Sequence, residues 1–121
     1  MPAKPRRFAL FFRMDILAPE AQPTPDQMAV YMERWGEWIA WIRSHDRLED
    51  GNHFLSKGAV LRGDGAEVDS PYVAGNESIA GYILVRAKNL QDALKIARKC
   101  PILEGDGTSV EVREVAGPQE G

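Results

Sequence analysis

The chain has only one cysteine and two histidines among its 121 residues. A single cysteine cannot form a disulfide within the chain, and it excludes zinc or iron–sulfur sites that need several cysteine ligands. The histidines, His45 and His53, lack the spacing of a metal site, so we expect no metal. We expect no other cofactor either, because the glycines have neither the Gly-x-Gly-x-x-Gly nor the Walker spacing of nucleotide sites.

Long hydrophobic segments and an excess of basic residues are also missing. The longest apolar run, 79–85, has seven residues, whereas a membrane helix needs about 20. Fifteen basic and 18 acidic residues leave a net charge of −3, which argues against a nucleic-acid partner. The basic start is followed only by the short apolar segment 8–12, too short for a signal peptide. We therefore expect a protein of the reducing cytoplasm, with neither membrane nor nucleic acid as a partner.

The remaining composition is that of one globular domain. Hydrophobic residues make up 44% and charged residues 27% of the chain, as in ordinary folded proteins. We predict a single domain over 1–121, with its core over about 7–115 and a frayed tail over 116–121. Strands are predicted at 7–13, 78–87 and 108–115, and a loop at 14–23.

A long helix is the most clearly marked element. Thr24, Pro25 and Gln27 fit the N-cap, the first helical position and the N3 position of a capping box. Apolar residues then recur every third or fourth position: Met28, Tyr31, Met32, Trp35, Trp38, Ile39 and Ile42. This pattern predicts an amphipathic helix that ends near His45, whose imidazole would complement the helix dipole.

Shorter elements are marked by turn-forming residues. Asp-Gly-Asn at 50–52 predicts a turn, followed by a short strand at 53–56. Gly-Asp-Gly at 63–65 predicts the turn of a small hairpin between 59–61 and 66–68. Asn89 predicts the N-cap of a second helix that Pro101 ends. The predicted buried side of this helix consists of Leu90, Ala93, Leu94 and Ala97.

The order of these elements predicts an α+β, ferredoxin-like split βαβ fold with an inserted β-hairpin. Two helices can cover only one face of such a sheet. Both faces of the strands are nevertheless apolar, since Phe8, Leu10 and Phe12 oppose Ala9 and Phe11. An uncovered face would forgo about 1.5–3 kcal/mol for each large side chain. We therefore predict that a second copy of the chain covers it.

Residues 69–82 read Asp-Ser-Pro-Tyr-Val-Ala-Gly-Asn-Glu-Ser-Ile-Ala-Gly-Tyr. This segment resembles the signature of the YCII-related, or DGPF-domain, family, in which Asp-Gly-Pro-Phe precedes a Glu and then a Gly-Tyr that opens a strand. Ser70 and Tyr72 replace the family's glycine and phenylalanine. The resemblance extends over about 7–115 and implies a homodimeric α+β barrel, in which two ferredoxin-like sheets pack face to face. A His–Asp pair proposed for one branch of the family is not reproduced in its usual place, because 24–44 contains no histidine.

Asp69 and Glu77 are the candidate catalytic residues. Asp69 could act as a general base at the mouth of the barrel, or cap its own turn. Glu77 could turn into the cleft beside Asp69, or pair with Arg13. Glu77 and Tyr82 lie on opposite faces of a regular strand, so both reach the cleft only if Glu77 is still in the loop or a bulge intervenes. Two carboxylates in one cleft would give a better acid and a better base.

Arg13, His53, Tyr72 and Tyr82 are candidate ligand-binding residues around the same cleft. His53 could instead lie on the surface, and the tyrosines could pack in the core or the dimer interface. Cys100 has no basic neighbour except Lys99 and is expected to be an inert thiol.

Three functional hypotheses remain open from the sequence. The first is a homodimer that binds a small molecule and performs acid–base catalysis in the barrel cleft. The second, implied by the resemblance, is a non-catalytic accessory protein associated with sigma-factor-type transcription control, which would act through protein contacts. The third is a stable barrel whose function lies in a larger complex. Whether the protein is an enzyme, and on which substrate, is not determined by the sequence.

Overall fold

The computed structural model describes residues 6–15, 24–105 and 107–117. The elements, in chain order, are β1 Arg6–Met14, α1 Pro25–Ser44, β2 Leu48–His53, β3 Val60–Leu61, β4 Glu67–Val68, β5 Ser78–Ala87, α2 Leu90–Ala97, a 3-10 turn at Pro101–Glu104 and β6 Ser109–Glu114. The predicted loop at 14–23 and tail at 116–121 lie mostly outside the described residues. In the described ranges, neither helix has the length and apolar character needed to span a bilayer.

Four strands form one antiparallel sheet in the order β2-β5-β1-β6, and β3 and β4 form a separate hairpin. The two central strands are the first and third of the four, as the split βαβ layout requires. The predicted α+β, ferredoxin-like fold with an inserted hairpin is therefore confirmed.

Both helices contribute to a hydrophobic core on one face of the sheet. Its buried residues are Phe8, Leu10, Phe12, Trp38, Ile42, Ile83, Val85, Ala87, Ala93, Ile96, Ala97, Cys100 and Ile102. Trp38 also joins the helices by a hydrogen bond, because its Nε1–H donates to the carbonyl of Ile96 at 3.1 Å. On this face, which we call the covered face, Phe8, Leu10 and Phe12 of β1 are buried.

The long helix begins where the capping box predicts. Thr24 Oγ1 accepts the Gln27 N–H at 3.2 Å, and Gln27 Oε1 accepts the Thr24 N–H at 2.9 Å. The prediction of a stripe buried over the whole helix was wrong for its first two turns, where Met28 and Met32 are 43% and 59% exposed. The reason is that α1 contributes to the core only from Trp35 onward.

Two predictions for the middle of the chain were wrong. Residues 50–52 lie inside β2 and do not form a turn, and 53–56 is not a separate strand. Gly51 pairs with Ile83, and a Cβ at position 51 would lie 2.6 Å from Ile83 Cγ2. The glycine therefore allows the close approach of β2 to β5. The sequence 50–52 was predicted as a turn because its residues are typical of turns.

The second helix is capped by Asn89, as predicted, since Asn89 Oδ1 accepts the Asp92 N–H at 2.9 Å. Its buried side was predicted only in part. Ala93, Ile96 and Ala97 are buried, whereas Leu90 at the first turn is 46% exposed. Ile96 lies three positions after Ala93 and so shares its buried side of the helix.

Candidate functional site

The second face of the sheet has no helix packed on it among the described residues. Strand register places Ala9 beside Leu84 and Phe11 beside Tyr82 on this face, because directly paired residues of antiparallel strands share a face. We call this surface the open face. Its residues are Arg7, Ala9, Phe11, Arg13, Glu49, Asn52, Ile79, Tyr82, Leu84, Arg86, Ser109, Glu111 and Arg113.

The centre of the open face is apolar and aromatic. Phe11, Tyr82 and Leu84 are half-buried by their neighbours on the sheet. Phe54, which follows β2 and is 49% exposed, stacks on Tyr82 with ring centroids 5.7 Å apart and an angle of 30°. The two rings extend the apolar surface toward the edge strand.

A β-bulge determines which residues lie on the open face at the end of the sheet that contains Arg13. The register of β1 and β5 shifts between Phe12 and Arg13, so that Arg13 pairs with Ile79. A bulge reverses the alternation of side chains beyond it. Glu77 and Tyr82 can therefore lie on the same face despite their odd spacing. Their spacing in the sequence required either such a bulge or a loop position for Glu77.

Contacts at this end gather polar side chains beside the aromatic centre. Ser109 Oγ–H donates to Glu77 Oε1 at 2.9 Å, and Ser109 is the register partner of Arg13. Arg13 Nη2–H donates to Glu111 Oε1 at 2.7 Å. Among the described residues, Arg13 therefore pairs with Glu111, and no ion pair joins it to Glu77. We call Arg13, Glu77, Ser109 and Glu111 the polar end of the open face.

Ser109 and Glu111 were not predicted as site residues from the sequence. The signal for both was present in β6, where Ser109, Glu111 and Arg113 alternate with Val110 and Val112. Since the valines face the core, the polar residues had to face the other way. The polar end can hold an anion through Arg13 and can accept or release a proton through Glu77.

Asp69 and Tyr72 lie in the loop that precedes β5, and both are exposed. The loop is fixed by its backbone: the buried Ser78 donates its Oγ–H to the Tyr72 carbonyl at 2.6 Å, and Ala74 and Glu77 exchange two backbone hydrogen bonds. In the part of the chain that the structure describes, no hydrogen bond or ion pair joins Asp69 to Glu77. The expected pairing of these carboxylates therefore stays a prediction.

The two histidines lie away from the polar end. His53 pairs with Gly81, the register partner of Phe12, so its row belongs to the other face of the sheet from Tyr82. His45 lies at the C-terminal end of α1, where its Nδ1 is 2.9 Å from the Trp41 carbonyl oxygen. Among residues 6–15, 24–105 and 107–117, no group of three His, Cys, Asp or Glu side chains has the geometry of a metal site.

Cys100 is 3% exposed in the core. Burial raises the pKa of its thiol to about 12. The thiol is therefore protonated at neutral pH and is a poor nucleophile, in agreement with the expected inert cysteine.

Comparison with known protein families finds a match. The model of the YCII-related domain matches residues 19–116, which is most of the chain. No curated protein matches the chain.

Proposed function

The chain belongs to the YCII-related domain family, and we propose that it works in the cytoplasm as a homodimer that binds a small molecule on the open face and performs acid–base chemistry there. The observation that carries the proposal is the polar end itself. Glu77 and Arg13 stand beside the aromatic surface of Phe11 and Tyr82 on the face that the helices leave uncovered.

The dimer is supported by the chemistry of the open face. Its apolar centre lies between two charged ends: Arg7 and Arg86 contact Glu49 at one end, at 2.5 and 3.6 Å, and Arg13 contacts Glu111 at the other. A second copy brings an apolar centre and charges of both signs to the same surface. Packing the two sheets face to face buries both centres and leaves the charged ends at the rim.

The binding site is supported by the mixture of groups at the rim of this surface. Pockets for small molecules combine apolar walls with a few polar groups that orient the ligand. In our proposal, Phe11, Phe54 and Tyr82 supply the walls, Arg13 orients an acidic group, and Glu77 transfers a proton. Asp69 and Tyr72 approach the ligand from the loop that precedes β5, whereas His53, whose register row lies on the other face of the sheet, takes no part in binding.

A thermal-shift screen with a panel of small metabolites tests this function. We expect at least one compound to raise the melting temperature of the wild type, because a ligand that binds only the folded protein stabilises it. Arg13→Gln and Glu77→Gln should abolish that shift. Asp64→Asn, on the exposed hairpin turn, removes a carboxylate outside the site and should leave the shift unchanged.

Turnover of the compound by the wild type, lost in Glu77→Gln but kept in Asp64→Asn, would support the catalytic part of the proposal. If a dimer forms but no compound of the panel stabilises it, the small-molecule proposal fails. The accessory protein that acts through protein contacts would then be the better hypothesis.

A further inference from the structure

A second cleft lies on the helical side of the molecule, between the C-terminal half of α1 and α2. Its volume is about 460 Å³, within the range of small-molecule sites. Its residues come from α1, α2 and the segments that follow each helix: Trp41, Ile42, His45, Arg47, Asp92, Lys95, Ile96, Arg98 and Lys99. None of them belongs to the open face, so this cleft is separate from the proposed site.

The cleft concentrates positive charge in a protein whose net charge is −3. It contains one arginine–aspartate pair, because Arg47 Nη1–H donates to Asp92 Oδ2 at 2.8 Å. The same oxygen accepts the Lys88 N–H at 3.0 Å, and these contacts hold the pKa of Asp92 below its ordinary value. The single carboxylate therefore stays ionised and is already used by Arg47.

Three cations of the cleft have no such partner. Within the described residues, no ion pair involves Lys95, Arg98 or Lys99. Lys95 lies in the last turn of α2, Arg98 is the C-cap of that helix, and Lys99 follows in the turn after it. All three line the cleft. The ammonium of Lys99 lies 4.4 Å from the centre of the Trp41 ring, which fixes it at the wall of the cleft.

The floor of the cleft is apolar. Ile42 and Ile96 are 1% and 2% exposed, and the half-buried Trp41 completes the surface. The His45 ring lies 5.3 Å from that of Trp41. A bare inorganic ion would contact the cationic rim but not the apolar floor. An apolar body attached to an anionic group matches both parts.

We propose that this cleft binds a small organic anion, with its phosphate or carboxylate group at Lys95, Arg98 and Lys99 and its apolar body on Trp41, Ile42 and Ile96. A simpler role for the same cations is to complement the negative C-terminal ends of the two helices. That role stabilises the helices but gives no affinity for a ligand. A binding measurement therefore distinguishes the two roles.

The test uses one apolar body with three head groups: 1-naphthyl phosphate, 1-naphthoate and the neutral 1-naphthol. Titration is followed by NMR on the Trp side-chain Nε1–H signals, with Trp41 assigned through Trp41→Phe. We expect both anions to shift the Trp41 signal and to bind at least about tenfold more tightly than 1-naphthol. Trp35 does not line the cleft, and its signal should stay in place. The difference in affinity between 1-naphthyl phosphate and 1-naphthoate identifies the preferred head group.

Lys95→Gln with Arg98→Gln should weaken binding of 1-naphthyl phosphate at least about tenfold. Lys57→Gln with Arg62→Gln removes the same charge from exposed positions outside the cleft and should leave binding unchanged. Lys99→Gln provides a third test if the first pair reduces folding. The proposal is overturned if the Trp41 signal does not respond to either anion, if 1-naphthol binds equally well, or if the control pair weakens binding as much. Failure of the metabolite screen at the open face would not affect any of these results.

Discussion

The two faces of the sheet are built from the same strands but meet different surroundings. On the covered face, Phe8 and Leu10 are completely buried under the helices. On the open face, Phe11 and Leu84 are only half-buried, and ion-paired side chains stand at both ends of the surface. The covered face accounts for the stability of one chain. In the proposed homodimer, a second chain covers the open face.

Removal of one phenylalanine ring from each face compares them most directly. Phe8→Ala should lower the free energy of unfolding by about 3–5 kcal/mol, because it leaves a cavity in the core. Phe11→Ala should lower it by less and should raise the dissociation constant of the dimer instead. Urea denaturation and sedimentation measure the two effects. Equal losses of stability without any change in association would contradict the distinction between the faces.

Substitution of Gly81 tests whether β2 needs its close approach to β5, and Gly36 provides the control. An added Cβ at Gly81 would lie 2.8 Å from the Asn52 carbonyl oxygen, whereas nothing lies within 4 Å of a Cβ at Gly36 in α1. Gly81→Ala should therefore destabilise the protein by about 1–3 kcal/mol. Gly36→Ala should stabilise it by about 0.5–1 kcal/mol, since alanine favours a helix. Thermal unfolding of both variants checks the opposite signs, and two changes of equal sign would show that the strand can move to make room.

Loss of the helix cap should lower the stability of the fold without changing the association of two chains at the open face. Thr24→Ala removes the acceptor of the Gln27 N–H and should cost about 1 kcal/mol. Thr24→Ser keeps a hydroxyl acceptor and is the matched control. Denaturant midpoints should fall for the alanine variant alone, while the oligomeric state of both variants should match the wild type. An unchanged midpoint for Thr24→Ala would mean that the first turn contributes little to folding.

The ion pair between Asp92 of α2 and Arg47, which follows α1, should make a smaller, pH-dependent contribution to stability. The Asp92 pKa is lowered in the folded protein, with its hydrogen bond from the Lys88 N–H as the largest cause and with Arg47 adding to it. A lowered pKa contributes stability above the unfolded value of 3.8, and this contribution is lost as pH falls through the folded value. The wild type should therefore exceed Asp92→Asn in stability at neutral pH, and the gap should narrow as the pH falls below the unfolded value of 3.8. A gap that stays constant as the pH falls would contradict the assignment.

Most of the fold was predictable because its signals are local. The capping box at Thr24, the N-cap at Asn89 and the turn at 63–65 each specify one short conformation. The strand containing 50–52 was missed because Gly51 and its polar neighbours resemble a turn. Its strand conformation depends on pairing with β5, a contact distant in the sequence. The exposed first turns of α1 were missed for the same reason, since periodicity shows which residues share a side but not how far the sheet extends.

The candidate site was predictable only in part. Glu77 and Tyr82 were selected, but whether they share a face depends on a bulge between β1 and β5 that neither strand shows alone. Arg13 was selected and its partner Glu111 was not, although the alternation of β6 placed that glutamate on the same face. The cationic cleft between the helices was missed because its members are scattered over the C-terminal parts of α1 and α2 and their following segments.

Light scattering of the wild type at low micromolar concentration tests the central claim, that the open face is covered by a second copy. The account predicts a mass of about twice 13.5 kDa. It also predicts a folded monomer for Phe11→Asp, because a charge at the centre of two packed sheets is not compensated. A wild type that remains a folded monomer of 13.5 kDa would contradict the account.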